Sequence, residues 1–394
     1  MELDVKPIFR SSGARHSLAV GLVAGLSLTS LGISLPASAQ YAQTNLVSNI
    51  PGLAAITDPH LVNPWGLSRS PTSPFWTSNQ GNNSSTLYAI TGATNVSQFL
   101  GVNANGFVGI PTTAAGPQGP TGQVNNTNTA SFQLTPGVTS TSARFLFANL
   151  NGTISGWAGG LTSTIEVTSP GAVYTGLAID TAGTRLYAAD SAGGHVNMFD
   201  SAFAPVNLPG AFSDPTLPAG FVPFNVQDIG GRVYVTYAPA GLAAQRTAAP
   251  GAGFVSVFDE NGAFLQRLIS GSQLAAPWGL ALAPAGFGPL GGDLLVGNFS
   301  FAASVINAFD PVTGAFRGSI PIDVGANSPG GLWGLMFGSG AGSGGDANTL
   351  YFLDGINGET AGLFGAVAAV PEPGTFALLG VGLSVIGWRR RRRA

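Results

Sequence analysis

The side chains that could do chemistry are few. The 394-residue chain has no cysteine, and His60 and His195 are the only histidines beyond residue 16. Disulfides and thiolate metal sites are thereby excluded. No Walker loop, G-x-S-x-G elbow, H-E-x-x-H pair or EF-hand spacing occurs. What remains is oxygen chemistry. His60, Asn63, Asn225 and Asp228 fall near strand-like segments that repeat along the chain. Asn and Asp oxygens suit Ca²⁺, which takes roughly six to eight oxygen ligands at about 2.3–2.6 Å. One carboxylate and two amides make a poor cage, so these four stand as metal candidates only. No catalytic or cofactor-binding residue is assigned. Asp190, Asp200, Asp259 and Asp310 recur before turns, where an aspartate is expected to accept backbone N–H groups.

The elements that must position these residues read as strands. Between residues 41 and 368 no amphipathic helical stretch of convincing length appears. "RLYAAD", "RVYVTYA", "FVSVFD", "DLLVGNF", "VINAFD" and "TLYFLD" are short apolar runs cut by Gly, Pro, Asn and Asp. Asn151-Gly152 and Asn261-Gly262 are expected at hairpins as tight I′ turns. The strands repeat: "NPWGLS" (63–68), "APWGLAL" (276–282) and "GLWGLMF" (331–337) are the plainest copies, with "YTGLAID" (174–180) and "PFNVQDI" (223–229) in the same place. A strand-rich unit of this length predicts a ring of four-stranded blades, because one blade alone cannot bury both faces.

Six blades are expected, centred near 61–100, 143–168, 172–205, 223–265, 276–320 and 331–366, with "TNLVSNI" (44–50) pairing onto the last to close the ring. Segment 103–142, rich in Gly, Pro, Thr and Asn, reads as an insertion between blades one and two, and 338–348 as a loop. Trp65, Trp278 and Trp333 recur at one place in the repeat and are expected to pack between neighbouring blades. In such a ring the first strand of each blade lines the axis, which is where the four oxygen and nitrogen candidates would meet.

The ends differ from the body. Residues 1–39 run from a basic stretch closing with Arg15, through the apolar Leu18 to Leu35, to Ala37, Ser38 and Ala39. This is the pattern of a signal peptide cut between Ala39 and Gln40, with Ala37 and Ala39 as the small residues that signal peptidase requires. At the other end Val370, Pro371, Glu372 and Pro373 precede an apolar run from Gly374 to Trp388, then Arg389, Arg390, Arg391, Arg392 and Arg393. That run of 15 residues would span about 22 Å as a helix, short of a hydrocarbon core of about 30 Å. The arginines would stop translocation and hold the terminus in the cytoplasm. Between the signals, residues 40–370 hold 7 basic and 15 acidic side chains, and charged residues are 8% of the whole. So acidic a body is not drawn to nucleic acid or anionic lipid.

The tail resembles the PEP-CTERM sorting signal of Gram-negative bacteria. That resemblance implies recognition by an exosortase, transient inner-membrane anchoring by a short C-terminal transmembrane helix, and delivery to the cell surface or extracellular matrix. The body resembles a set of uncharacterised secreted bacterial propeller-like proteins that often carry this tail. "NPWGL" at 63, "PTGQV" at 120, "LPAGFVPFNVQ" at 217, "APWGLALAPAGFG" at 276 and "NTLYFLDGINGETAGLFG" at 348 carry the match.

The expectation is thus an all-β, six-bladed β-propeller (similar to NHL and SMP-30-like rings) over 40–368. A signal helix over 1–39 precedes it and the sorting signal over 369–394 follows. The function expected is a non-catalytic surface or matrix module whose partners include exopolysaccharide or surface proteins. The alternative is a metal-dependent, lactonase-like hydrolase with Ca²⁺ at the tunnel mouth.

Overall fold

A computed structural model of the chain describes residues 40–102, 105–113, 116–134, 141–271 and 273–370. Regular structure among them is nearly all strand, gathered into six antiparallel blades. Each blade begins at the axis. The inner strands are Pro64–Ser68, Pro120–Asn125, Tyr174–Ile179, Phe221–Asp228, Pro277–Leu282 and Leu332–Phe337, and the later strands of each blade step outwards from them. The fold is the expected six-bladed β-propeller. The expected leader helix, with Ala37 and Ala39, and the expected membrane helix, with Pro371, Glu372, Pro373, Trp388 and Arg389 to Arg393, lie outside the described residues.

The apolar core is divided among the seams between blades. Leu146 and Ile154 of blade two meet Leu177 and Leu186 of blade three. Tyr187 of blade three meets Val226 and Val235 of blade four, and Leu295 of blade five meets Leu335 and Phe352 of blade six. Phe75 and Tyr351 join the first and last blades with ring centroids 4.6 Å apart. Burying a side chain of this size contributes about 1.5–3 kcal/mol. No blade buries its faces without its neighbours, which is why the repeat must close.

Closure uses the chain's beginning. Tyr41–Ser48 forms the fourth strand of blade six, antiparallel to Leu363–Ala369, with Tyr41 opposite Ala369 and the short Ile56–Thr57 parallel beyond it. The Tyr41 hydroxyl accepts from Leu290 N–H at 2.9 Å and donates to Phe287 C=O at 3.0 Å, fastening that strand to blade five as well. The expected pairing of residues 44–50 with the last blade is observed.

Two expectations change. The segment 103–142 is not simply an insertion. It contains Pro120–Asn125, the inner strand of blade two, and Phe107–Gly109, which adds to Ser84–Thr91 of blade one. The inner strand was hidden because Thr121-Gly122-Gln123 stands where blades one, five and six carry Trp-Gly-Leu. The Asn-Gly pairs do join hairpins, but only Gly152 (φ 74°) and Gly262 (φ 82°) take positive φ. These are turns ending in one left-handed glycine rather than I′ turns, which need positive φ at both residues.

Candidate functional site at the ring axis

The inner strands approach one another so closely that most have no side chain at the nearest point. A Cβ on Gly66 would overlap the Thr121 carbonyl of blade two, one on Gly122 the Leu177 nitrogen of blade three, and one on Gly279 the Trp333 carbonyl of blade six. These equivalent contacts show the strands running side by side in one register. Blade four departs, with Asn225 at the glycine position. Its Nδ2 donates to Trp278 C=O of blade five at 2.9 Å, so an amide bridges where the other strands touch.

One residue before Gly66, Gly279 and Gly334, and before Asn225 of blade four, aromatic rings fill the axis. Trp65 stacks on Trp333 at 3.5 Å, and Trp278 meets Trp333 edge-on at 5.6 Å and Trp65 at 6.3 Å. Phe224 joins from blade four, 5.8 Å from Trp333. Trp333 is wholly buried. The tryptophans touch between neighbouring blades as expected, and they also meet across the axis, because equivalent side chains on parallel inner strands converge there. The axis is therefore closed by an aromatic layer. Trp278 Nε1 donates to Thr175 C=O at 2.9 Å, which ties that layer to blade three.

Above the layer, where the inner strands begin, lies a polar clamp. Asn63 (φ 44°) accepts from Trp333 Nε1 at 3.1 Å through Oδ1 and donates to Gln80 Oε1 at 2.8 Å and Glu359 Oε1 at 3.2 Å. Arg246 donates to Glu359 Oε2 from Nε at 2.7 Å, with Nη2 on the same oxygen. Glu359 also holds a left-handed backbone, φ 72°. Such conformations cost about 1–3 kcal/mol each and persist where surrounding bonds enforce them. Burial raises the Glu359 carboxyl above its usual value, and Arg246 opposes that shift. The clamp joins blades one, four and six.

Below the layer is a cavity of about 230 Å³ lined by all six blades, among them Ser68, Gln123, Asn225 and Asp228. Gln123 Nε2 donates to Gly66 C=O at 3.0 Å and to Trp76 C=O, which fixes the amide with Oε1 as an acceptor. Gln123 Oε1, Ser68 Oγ and Asp228 Oδ2 are buried without partners among the described residues. Burial pushes the Asp228 carboxyl up to about 6, against the Gly231 N–H that it accepts at 3.1 Å. This cup is rich in acceptors, and its carboxyl changes charge near neutral pH.

The four sequence candidates do not meet. His60 binds Asp58 Oδ1 through Nδ1 at 3.1 Å and lies against Phe107, with ring centroids 4.3 Å apart. Asn63 sits above the aromatic layer, and Asn225 and Asp228 line the cavity below it. The Asn63 oxygen is taken by an indole N–H, and the Asn225 amide is spent on a backbone carbonyl. These donors do not fit a Ca²⁺ cage. Among the described residues no three His, Asp or Glu side chains are grouped to hold a metal ion.

The recurrent aspartates serve turns. Asp190 Oδ1 accepts Val173, Ala192 and Gly193 N–H groups, and Asp259 Oδ1 accepts those of Asn261 and Ala263. Asp200 and Asp310 do the same for Ala202 and Ala204 and for Val312 and Thr313. Gln123, Arg246 and Glu359 escaped the sequence reading. Gln123 lay in the supposed insertion, and Arg246 and Glu359 share no motif. The signal that was available was the Trp-Gly pair, whose recurrence placed the aromatic layer.

Residues 369–392 match the PEP-CTERM protein-sorting motif, which implies exosortase-mediated sorting and export to the bacterial cell envelope or surface. Among solved structures, the propeller is similar to virginiamycin B lyase from Staphylococcus aureus (12% identity, 84% of this chain and 99% of that one, TM-score 0.47). It is also similar to a protein of unknown function from Bacteroides thetaiotaomicron (12%, 84% and 77%, TM-score 0.49). Two uncharacterised proteins of Acanthamoeba polyphaga mimivirus align at 31% identity. R648 does so over 278 residues, 67% of this chain and 66% of its own length, and L690 over 286 residues, 70% and 72%. The chain belongs to the family of these two viral proteins, and ends in a bacterial sorting motif.

Proposed function

We propose that the protein is made as a precursor, cut by signal peptidase between Ala39 and Gln40, and sorted by exosortase through the signal over 369–394. The released propeller then acts at the surface or in the matrix of a Gram-negative cell as a non-catalytic binding module. One observation carries the first half. Residues 369–392 match the sorting motif, and Val370 N–H donates to Gln40 C=O at 2.7 Å, which sets the two edges of the ring side by side on blade six. The ring is closed by Tyr41–Ser48 on Leu363–Ala369, inside both segments, and needs neither. The binding reading draws support from what the polar side chains are doing: His60, Asn63, Asp190 and Glu359 are each held by neighbours in the fold. Exopolysaccharide and surface proteins are the partners proposed.

The test compares the full chain with a chain ending at Val370, both in an exosortase-bearing host. The full chain is expected to become accessible to external protease at the surface, and the truncated chain to lose that location. Equal distribution of the two would sink the sorting half. For the binding half, the exported protein is passed over the host's own extracellular polysaccharide and over washed cells. Retention on at least one is expected, and retention on neither counts against it.

A further inference from the structure

The seam between blades one and two takes in residues outside the repeat. There a cavity of about 480 Å³ opens, in the range of small-molecule sites at roughly 300–1,000 Å³. Its floor is aromatic. Trp76 stacks on Phe145 with centroids 4.1 Å apart and planes at 20°, and Trp157 lies 4.8 Å from Trp76. Leu87 and the half-buried Phe99 complete the apolar wall. Trp157 Nε1 is bound to Gly160 C=O at 3.0 Å, whereas the indole N–H of the buried Trp76 has no partner among the described residues.

On the lining stands Arg144, exposed, its guanidinium making no ion pair or hydrogen bond among the described residues. Elsewhere in this acidic body Arg246, Arg267 and Arg317 each reach a carboxylate. An unpaired cation beside a mostly apolar, aromatic-floored cavity is complementary to an anion with an apolar body. Guanidinium and carboxylate match as a planar, two-bonded pair.

We infer that this cavity binds a small amphipathic carboxylate, its apolar part on Trp76, Phe145 and Trp157 and its anionic group on Arg144. The inference goes beyond the surface-module reading and concerns a different ligand class from polysaccharide. Aromatic acids and acyl-chain acids share the required chemistry, and the experiment separates them.

Tryptophan fluorescence of the full chain is titrated with naphthalene-2-carboxylate and with decanoate, each beside its neutral amide. At least one carboxylate is expected to bind about 10-fold more tightly than its amide, and the better of the two identifies the source. Arg144→Gln, at an exposed position, is expected to abolish that preference while the amide's affinity stays unchanged. Phe99→Ala should weaken acid and amide alike. Equal binding of acid and amide to the native chain, an unchanged preference in Arg144→Gln, or no binding by either acid overturns the inference. Sorting is not read in this assay, so its failure leaves the export reading standing.

Discussion

Blades four and five solve the same packing problem with different residues. In blade five the inner strand carries Trp278 and Gly279, and a Cβ at the glycine would run into the Trp333 carbonyl of blade six. At the end of its second strand, Asn298 Oδ1 accepts Ala275 N–H at 3.1 Å while Nδ2 donates to Gln273 and Ala303 carbonyls. In blade four Phe224 and Asn225 stand in place of the Trp-Gly pair, and Tyr237 pairs with Pro223 where an Asn or Asp ends the second strand of the other blades. The Asn225 amide reaches across to blade five, while the Tyr237 hydroxyl is buried without a partner among the described residues. A ring therefore tolerates one blade spaced by a side chain, provided that side chain replaces the backbone contact with a hydrogen bond.

The largest effect should come from the group that both solutions share. Trp333→Ala empties the point where blades one, four, five and six meet, and is expected to lower stability by about 3–5 kcal/mol in thermal or denaturant unfolding. A loss below about 1 kcal/mol would mean that the blades are anchored independently of the axis.

Next is Asp354, which ends the second strand of blade six. It accepts Gly331 N–H at 2.8 Å, and burial pushes its carboxyl up to about 7. A carboxyl with a raised folded-state value stabilises the fold fully below its unfolded value of about 3.9, and that stability is lost as pH rises through about 7. Asp354→Asn, the residue blade five uses, should therefore raise stability above pH 7 by up to about 4 kcal/mol, read as a higher melting temperature there, and flatten the pH dependence. An unchanged pH profile would show that the proton is not held there.

Gly279→Ala forces a methyl onto the Trp333 carbonyl and should cost about 1–3 kcal/mol. Asn225→Gly, which gives blade four the common residue, should cost about 1–2 kcal/mol because the Trp278 carbonyl loses its donor. If Asn225→Gly were instead stabilising, the bridge would be a compromise rather than a solution. The smallest effect is expected for Tyr237→Phe, which removes a buried hydroxyl without a partner among the described residues and, by relieving its desolvation, should raise stability by about 1 kcal/mol.

Much of this was legible in the sequence. The three Trp-Gly-Leu copies, with "YTGLAID" and "PFNVQDI" in the same place, counted most of the blades, "TNLVSNI" announced the closing strand, and the strand-end aspartates were read as turn caps. Blade two's inner strand was missed because Thr121 and Gln123 lack the apolar signature. They satisfy the axis through hydrogen bonds instead, Thr121 Oγ1 to Tyr174 C=O at 2.7 Å and Gln123 to two carbonyls. The metal candidates failed for a related reason. Asn63 and Asp228 occupy opposite ends of their inner strands, and membership of inner strands was read without position along them.

What the sequence alone determined is periodic or terminal: a strand-forming unit that must stack on copies of itself, and a sorting motif over 369–392. Both follow from local composition, which acts over a few residues. What only the tertiary structure decided is who faces whom at the axis, such as Trp278 Nε1 meeting Thr175 C=O across 103 residues of chain. Such contacts arise when six strands distant in sequence are brought to one line, and the pattern within any one strand does not encode its partners.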